Sequence, residues 1–181
     1  MSILKVNTIQ DKGGNTLLSS DGSGVISSGG AITSTPFFQA KVTNQSQGFS
    51  QNTYTAVLFD TKDFDTNNAY DTATGKFQPS EAGYYYIFGQ IAFATSGGNE
   101  QIHIWKNGSE YLMWSQTDAG VTANNHKAQQ VQKITYLNGS TDYVQIRGLN
   151  SGSGTSYLSP ALLQAGGGEA SVFFAYKLIG A

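Results

Sequence analysis

Residues 75–95, "GKFQPSEAGYYYIFGQIAFAT", are apolar or aromatic at both alternating sets of positions. Tyr85, Ile87, Ile91 and Phe93 form one set, and Tyr84, Tyr86 and Phe88 the other. A strand with one solvated face alternates apolar with polar residues, so this one needs cover on both sides. From Phe37 onward, short runs of this kind recur with turn residues between them. They predict strands near 37–43, 55–59, 64–70, 75–79, 83–95, 100–106, 109–117, 126–137, 142–149 and 170–179. No ten-residue window carries helical periodicity. The pattern predicts an all-β sandwich of two antiparallel sheets.

Register sharpens two of these elements. "QIHIWKNGSEYLMW" contains Asn107-Gly108, a pair suited to the type I′ hairpin turn because both positions need positive φ. A two-residue loop then predicts Ile104 opposite Tyr111 and Ile102 opposite Met113. His103, Trp105, Leu112 and Trp114 would share the other face. In "QKITYLNGSTDYVQIR", a loop of three or five residues would bring Ile134, Tyr136, Val144 and Ile146 together in a second hairpin.

Residues 1–35 differ from the rest. "ILKVNTIQ" is one strand-like run. "DKGGNTLLSSDGSGVISSGGAITS" then interleaves Gly, Ser and Asp with the pairs Leu17-Leu18 and Val25-Ile26. Each pair is too small for a core, and the glycines are costly to order. The segment reads either as a flexible linker or as a piece that orders by winding with identical copies. Pro36 marks the boundary, with 36–181 as the globular domain.

Composition narrows the function. Only 12% of the 181 residues are charged, about half of the ~25% usual for soluble domains. Asn and Gln together outnumber them. A net charge of −2 provides no electrostatic footprint for nucleic acid or an anionic membrane. No apolar run reaches the ~18–20 residues of a membrane span. The opening residues lack the basic, apolar and cleavage regions of a secretory leader, so none is expected. The absence of cysteine points to assembly in a reducing cytosol.

Candidate chemistry is sparse. The two histidines, His103 and His126, lie in no metal-ligand spacing. There is no G-x-S-x-G elbow. The glycines of "SDGSGVISSGG" lack a following Lys-Ser/Thr, so they form no phosphate loop. Asp60, Asp63, Asp65 and Asp71 offer oxygens for calcium but match no EF-hand loop, and solvated turn carboxylates fit them better. No catalytic residue, metal or cofactor is expected, and the chain reads as a non-enzyme.

Several landmarks, in order, resemble the globular head of complement C1q and the tumour necrosis factor group. Phe37-Phe38-Gln39-Ala40 is similar to that family's opening strand. "FDTKDFDTNNAYDTATGKFQPSEAGYYYIF" resembles its D…Y, G-x-F-x-P and G-x-Y-x-F segments, with Ile87 where Phe is usual. "LNGSTDYVQI" resembles L-x-x-G-D-x-V-x-V with one extra residue. "SVFFAYKLI" resembles the closing strand, with Ala175 in place of glycine. The resemblance spans about 36–181 and implies a jelly-roll sandwich assembled as a homotrimer. Tyr84, Tyr86, Phe88, Trp105, Leu112 and Trp114 are then candidates for the subunit contact. The alternative is that these residues fill an internal core or lie under a long loop. "MSILKVNTIQDKGGNTLLSSDGSG" in turn resembles the N-terminal segment of tailed-phage fibre and virion proteins, those of marine and cyanobacterial phages especially. Together these imply a virion fibre, tail or capsid, assembled in the host cytoplasm and joined to other virion proteins through residues 1–35.

Strand alternation places the turns at 107–108, 138–139 and 80–83 at one end of the sandwich. The loops at 95–99, 117–125 and 149–168 fall at the other, away from residues 1–35. Loops on a rigid scaffold are the usual carriers of recognition. These offer Asn99, Asp118, Asn124, Asn125, Ser151, Ser153, Thr155 and Tyr157 for hydrogen bonding and stacking on a host-surface polysaccharide. The alternatives are plain solvated tips, or a last loop that folds back through Leu158, Leu162 and Leu163. A capsid or decoration protein without a receptor, and a secreted bacterial binding module, are the competing roles.

Overall fold

A computed structural model of the chain describes residues 6–23, 26–28, 36–43, 47–94, 99–116, 126–158 and 170–178. The fold divides into two compact units, Met1–Thr35 and Pro36–Ala181.

The N-terminal unit is an antiparallel sheet of β1 (Thr8–Gln10), β2 (Thr16–Ser20) and β3 (Ile26–Ser28), in that order. Its first turn is built by Asp11, whose carboxylate accepts both the backbone N–H and the side-chain amide of Asn15 at 2.9 Å. Gly14 supplies the positive φ of 81° that this turn requires.

The larger unit contains β4 (Phe37–Lys41), β5 (Gly48–Ser50), β6 (Thr55–Ala56), β7 (Thr61–Asp65), β8 (Tyr70–Asp71) and β9 (Lys76–Phe77). The long β10 (Ala82–Ala94) follows, then β11 (Glu100–Lys106), β12 (Ser109–Gln116), β13 (His126–Asn138), β14 (Val144–Asn150), β15 (Thr155–Leu158) and β16 (Val172–Lys177). One sheet runs β5-β15-β10-β16-β4-β7, with β13 on the other edge of β10. The second runs β12-β11-β14-β9-β8, with β6 beside β14. The described residues are all-β, in the two-sheet arrangement that the pattern predicts.

The core lies between the sheets. From the first come Phe38, Tyr85, Ile87 and Phe173; from the second, Tyr70, Phe77, Ile102, Ile104 and Ile146. Phe38 stacks on Phe77 at 4.6 Å and meets Phe173 edge-on at 4.8 Å, tying β4, β9 and β16 together. Tyr85 is buried to its hydroxyl, which donates to the Glu81 carbonyl at 2.8 Å. Burial pushes its pKa up to about 12, followed by the Glu81 charge. The sheets approach closely at Gly89, where a Cβ would stand 2.6 Å from Ile146 Cδ1.

Four expectations change. The strand expected over 64–70 is broken: Asp65 accepts the N–H groups of Ala69 and Tyr70 at 2.9 and 3.0 Å, and Asn68 turns at φ 49°. The Asn107-Gly108 turn forms as expected, with φ of 53° and 81°. One residue later the ladder slips, so Ile104 faces Leu112 and Ile102 faces Trp114. That bulge turns Leu112 onto the core instead of beside Trp105. The expected hairpin of 126–137 with 142–149 does not form: β13 pairs with β10 and β14 with β11, in different sheets. Asn138 drives the crossing, its Oδ1 accepting the N–H groups of Ser140, Thr141 and Asp142. Val144 and Ile146 therefore enter the core, while Ile134 and Tyr136 face outward. Finally, the expected loop over 149–168 contains β15, which pairs with the end of β10 and with β5.

Candidate functional site

The side of the β10 sheet that faces away from the core is aromatic. Core positions of β10 alternate with Tyr84, Tyr86 and Phe88, none of which is fully buried. Their neighbours across the ladder continue the same surface. Tyr84 pairs with Tyr136, Tyr86 with Ile134 and Tyr176, and Phe88 with Phe174. Rings touch along these lines: Tyr84 with Tyr136 at 5.5 Å, Tyr86 with Tyr176 at 5.4 Å, Phe88 with Phe174 at 4.7 Å. Phe37 and Phe64, 4.7 Å apart, extend it across β4 and β7. Tyr84, Ile134 and Tyr136 are 45%, 54% and 48% exposed. The Tyr86 hydroxyl meets the Gln132 side chain, which marks the polar margin. Exposed apolar surface of this extent, formed by adjacent strands, marks an interaction site.

The six candidate contact residues do not share that face. Tyr84, Tyr86 and Phe88 lie on it. Trp105 lies on the outer side of the opposite sheet, where the Arg147 guanidinium sits 4.1 Å over its ring and Tyr54 leans on it at 5.1 Å. Leu112 packs toward the core and Trp114 holds the register position opposite Ile102. The sequence reading missed Phe64, Ile134, Tyr136, Phe174 and Tyr176 on the open face. Their signal was alternation in "KITYLN" and "SVFFAYKLI", legible only once the partner strands were known.

Beside Trp105, His103 is fully buried between Gln101, Tyr54 and Glu110. Its Nδ1 stands 3.4 Å from Glu110 Oε1, and Tyr54 donates to the same carboxylate at 3.1 Å. Burial holds the imidazole below its ordinary pKa, against the opposing pull of Glu110.

The two ends of the sandwich are distinct. At one, Asn107 donates to Asp142 at 2.7 Å and Gly139 lies against Ala82, gathering the short turns. The hydrogen bond from Asn107, with further help from Lys106, holds the Asp142 carboxyl below its usual range. Pro36 and Leu178 are also here, beside Lys177 and Tyr84. At the other end, Ala94 pairs with Tyr157 and Glu100 with Asn150.

Of the eight candidate receptor contacts, Asp118, Asn124 and Asn125 lie outside the described residues. Asn99 and Ser151 bind each other: Ser151 donates its N–H and its hydroxyl to the Asn99 carbonyl at 2.8 and 3.0 Å. Ser153 is exposed on the turn that precedes β15. Thr155 and Tyr157 belong to β15 itself, and the Tyr157 ring lies over Gly48 of β5 with its face exposed. Leu158 is buried, as the fold-back alternative expects; Leu162 and Leu163 lie outside the described residues.

The four acidic residues weighed for calcium are bound to protein groups. Asp60 caps Thr43, Asp63 pairs with Lys41 at 2.6 Å, Asp65 holds the Asn68 turn, and Asp71 accepts from Thr74. Among the described residues, no group of three His, Asp or Glu side chains is placed to hold a metal.

This two-sheet frame has recorded counterparts. The globular domain of zebrafish complement 1qA aligns with a TM-score of 0.57 at 16% identity, covering 80% of this chain and 98% of that one. The Eiger TNF from S. frugiperda aligns with 0.53 at 15%, covering 81% and 93%. Murine APRIL aligns with 0.51 at 11%, covering 80% and 100%. A comparison with curated proteins gives no match. At the level of sequence, the C1q domain profile matches residues 37–156, two thirds of the chain. The chain is a member of the C1q domain family.

Proposed function

We propose that the chain is the subunit of a homotrimeric virion fibre whose head binds a polysaccharide of the host surface. The observation that carries the trimer is the open aromatic face of β10, β13, β16 and β4. A single copy leaves it in water, whereas a ring of copies covers it. C1q-domain proteins form trimers and bind ligands. Aromatic residues at the centre of such a contact bury much apolar area at little entropic cost.

The fibre context is supported by residues 1–35, which resemble phage virion segments, and by the absence of cysteine. Through that segment the trimer would join other virion proteins during assembly in the host cytoplasm. With the head's entry and closing strands at the short-turn end, the β15 end is free to meet a surface. Tyr157 and Ser153 there offer a ring face and a hydroxyl to a sugar. Three sites per head, repeated over several fibres, turn weak binding into firm attachment. The role is binding and structural rather than catalytic.

One observation favours a purely architectural fibre: the Ser151 hydroxyl is engaged inside the head, donating to the Asn99 carbonyl and accepting from the Gln101 amide. The discriminating experiment incubates purified trimer, at micromolar concentration, with host cells or lipopolysaccharide. Saturable binding that weakens at least tenfold in Tyr157→Ala supports recognition; none leaves the architectural role. Deletion of 1–35 should preserve head trimers and abolish incorporation into particles.

A further inference from the structure

Among its described side chains, the N-terminal sheet buries no large apolar group. Ile9 and Leu18 stand opposite each other in the β1–β2 register and are 46% and 38% exposed. With Val6 they line an apolar hollow of about 200 Å³. Val6 and Leu17 are exposed as well, each at 49%. An exposed apolar face of this kind is suited to contact with another surface.

The chemistry favours identical copies as that partner. The segment carries Lys5, Lys12, Asp11 and Asp21 and no other charges, so copies do not repel one another. It also presents no block of charge to steer an unlike protein. Chain continuity adds concentration. Thr35 leads within two residues to Phe37 of β4, itself part of the open aromatic face. When three heads associate through that face, three N-terminal segments are tethered together at an effective concentration of order millimolar.

We propose that the Ile9–Leu18 face is buried against the same face of two further copies, the three sheets closing into a three-sided prism around one axis. The inference rests on the trimer proposed above.

Because the chain has no cysteine, single replacements report directly. Leu18→Cys and Ile9→Cys sit on the proposed inner face. Ser23→Cys, exposed in the turn after β2 and outside that hollow, serves as control. On mild oxidation of the full chain, the inner variants should form covalent dimers at least tenfold faster than the control, at a rate unchanged by dilution. Equal rates in a chain that sediments as a trimer would overturn the prism alone. So would an inner cysteine shielded from maleimide yet never cross-linked, which means another surface covers it. A monomeric chain would remove the trimer reading and the prism with it. Hydrogen exchange on the unmodified chain guards against damage by the replacements: β1–β2 amides should be protected at least 100-fold, and free exchange would overturn the proposal.

Discussion

Phe88 and Phe174 lie face to face, 4.7 Å between centroids and 18° between planes, on the side of β10 and β16 that the core does not reach. Stacking of this kind normally belongs to an interior. Here the neighbouring Tyr84, Ile134 and Tyr136 are open, so in the proposed trimer the ladder is half of a contact completed by another subunit.

Replacing Phe174 or Tyr86 by Ser should therefore act on assembly rather than on the subunit. A central aromatic in an interface is worth roughly 2 kcal/mol or more, about 30-fold in a dissociation constant. Sedimentation over a dilution series should show that shift. The unfolding free energy of the dissociated chain in urea should stay within about 0.5 kcal/mol of the parent.

Leu137 and Ile134 stand three positions apart on β13, so alternation sends them to opposite faces of the sheet. Leu137 is buried and Ile134 exposed. Leu137→Ala should cost about 2–5 kcal/mol of subunit stability by denaturant unfolding. Ile134→Ser should cost less than about 0.5 kcal/mol in the dissociated chain and should weaken assembly instead.

Gly148 has no room for a side chain, since a Cβ would lie 2.4 Å from Cε1 of the buried Phe49. Phe49 is held edge-on against Phe93 at 5.1 Å and cannot step aside without disturbing the core. Gly148→Ala should destabilise the head by about 1–3 kcal/mol. The double variant with Phe49→Leu should recover part of that loss.

His103 gives a pH dependence with a defined sign. Burial keeps it neutral in the fold, below its ordinary pKa, while an unfolded chain takes up the proton near pH 6.5. Its contribution is therefore intact above about pH 6.5 and is lost as pH falls below that value, by at most about 1.4 kcal/mol per unit. Urea midpoints between pH 7.5 and 5.5 should fall in the parent and stay nearly flat in His103→Gln. An equal slope in both would assign the effect elsewhere.

Local chemistry was legible where it acts within a few residues. The Asn107-Gly108 turn, the long β10 strand and the ordered landmarks of the family all follow from short-range pattern. The slip after Trp105 was not legible, because a bulge answers to the packing of Leu112 and not to the turn that precedes it. Nor was the sheet to which β13 belongs. A period of two says that a strand has two faces and is silent on which strand it joins, so Ile134 and Tyr136 were assigned to a hairpin. The same blindness grouped Trp105 with Tyr86, although Arg147 and Tyr54 cover Trp105 on the far sheet. The candidate glycan contacts were read as loop residues because "SGSGTSYL" looks like a tip, yet Thr155 and Tyr157 are held in β15 by distant partners.

Sedimentation equilibrium of the full chain at low micromolar concentration tests the trimer most directly. A single species at three times the 19.3 kDa chain mass, dissociating more readily on replacement of Phe174, Tyr86 or Ile134, is the expected result. A folded, soluble 19.3 kDa species would contradict it.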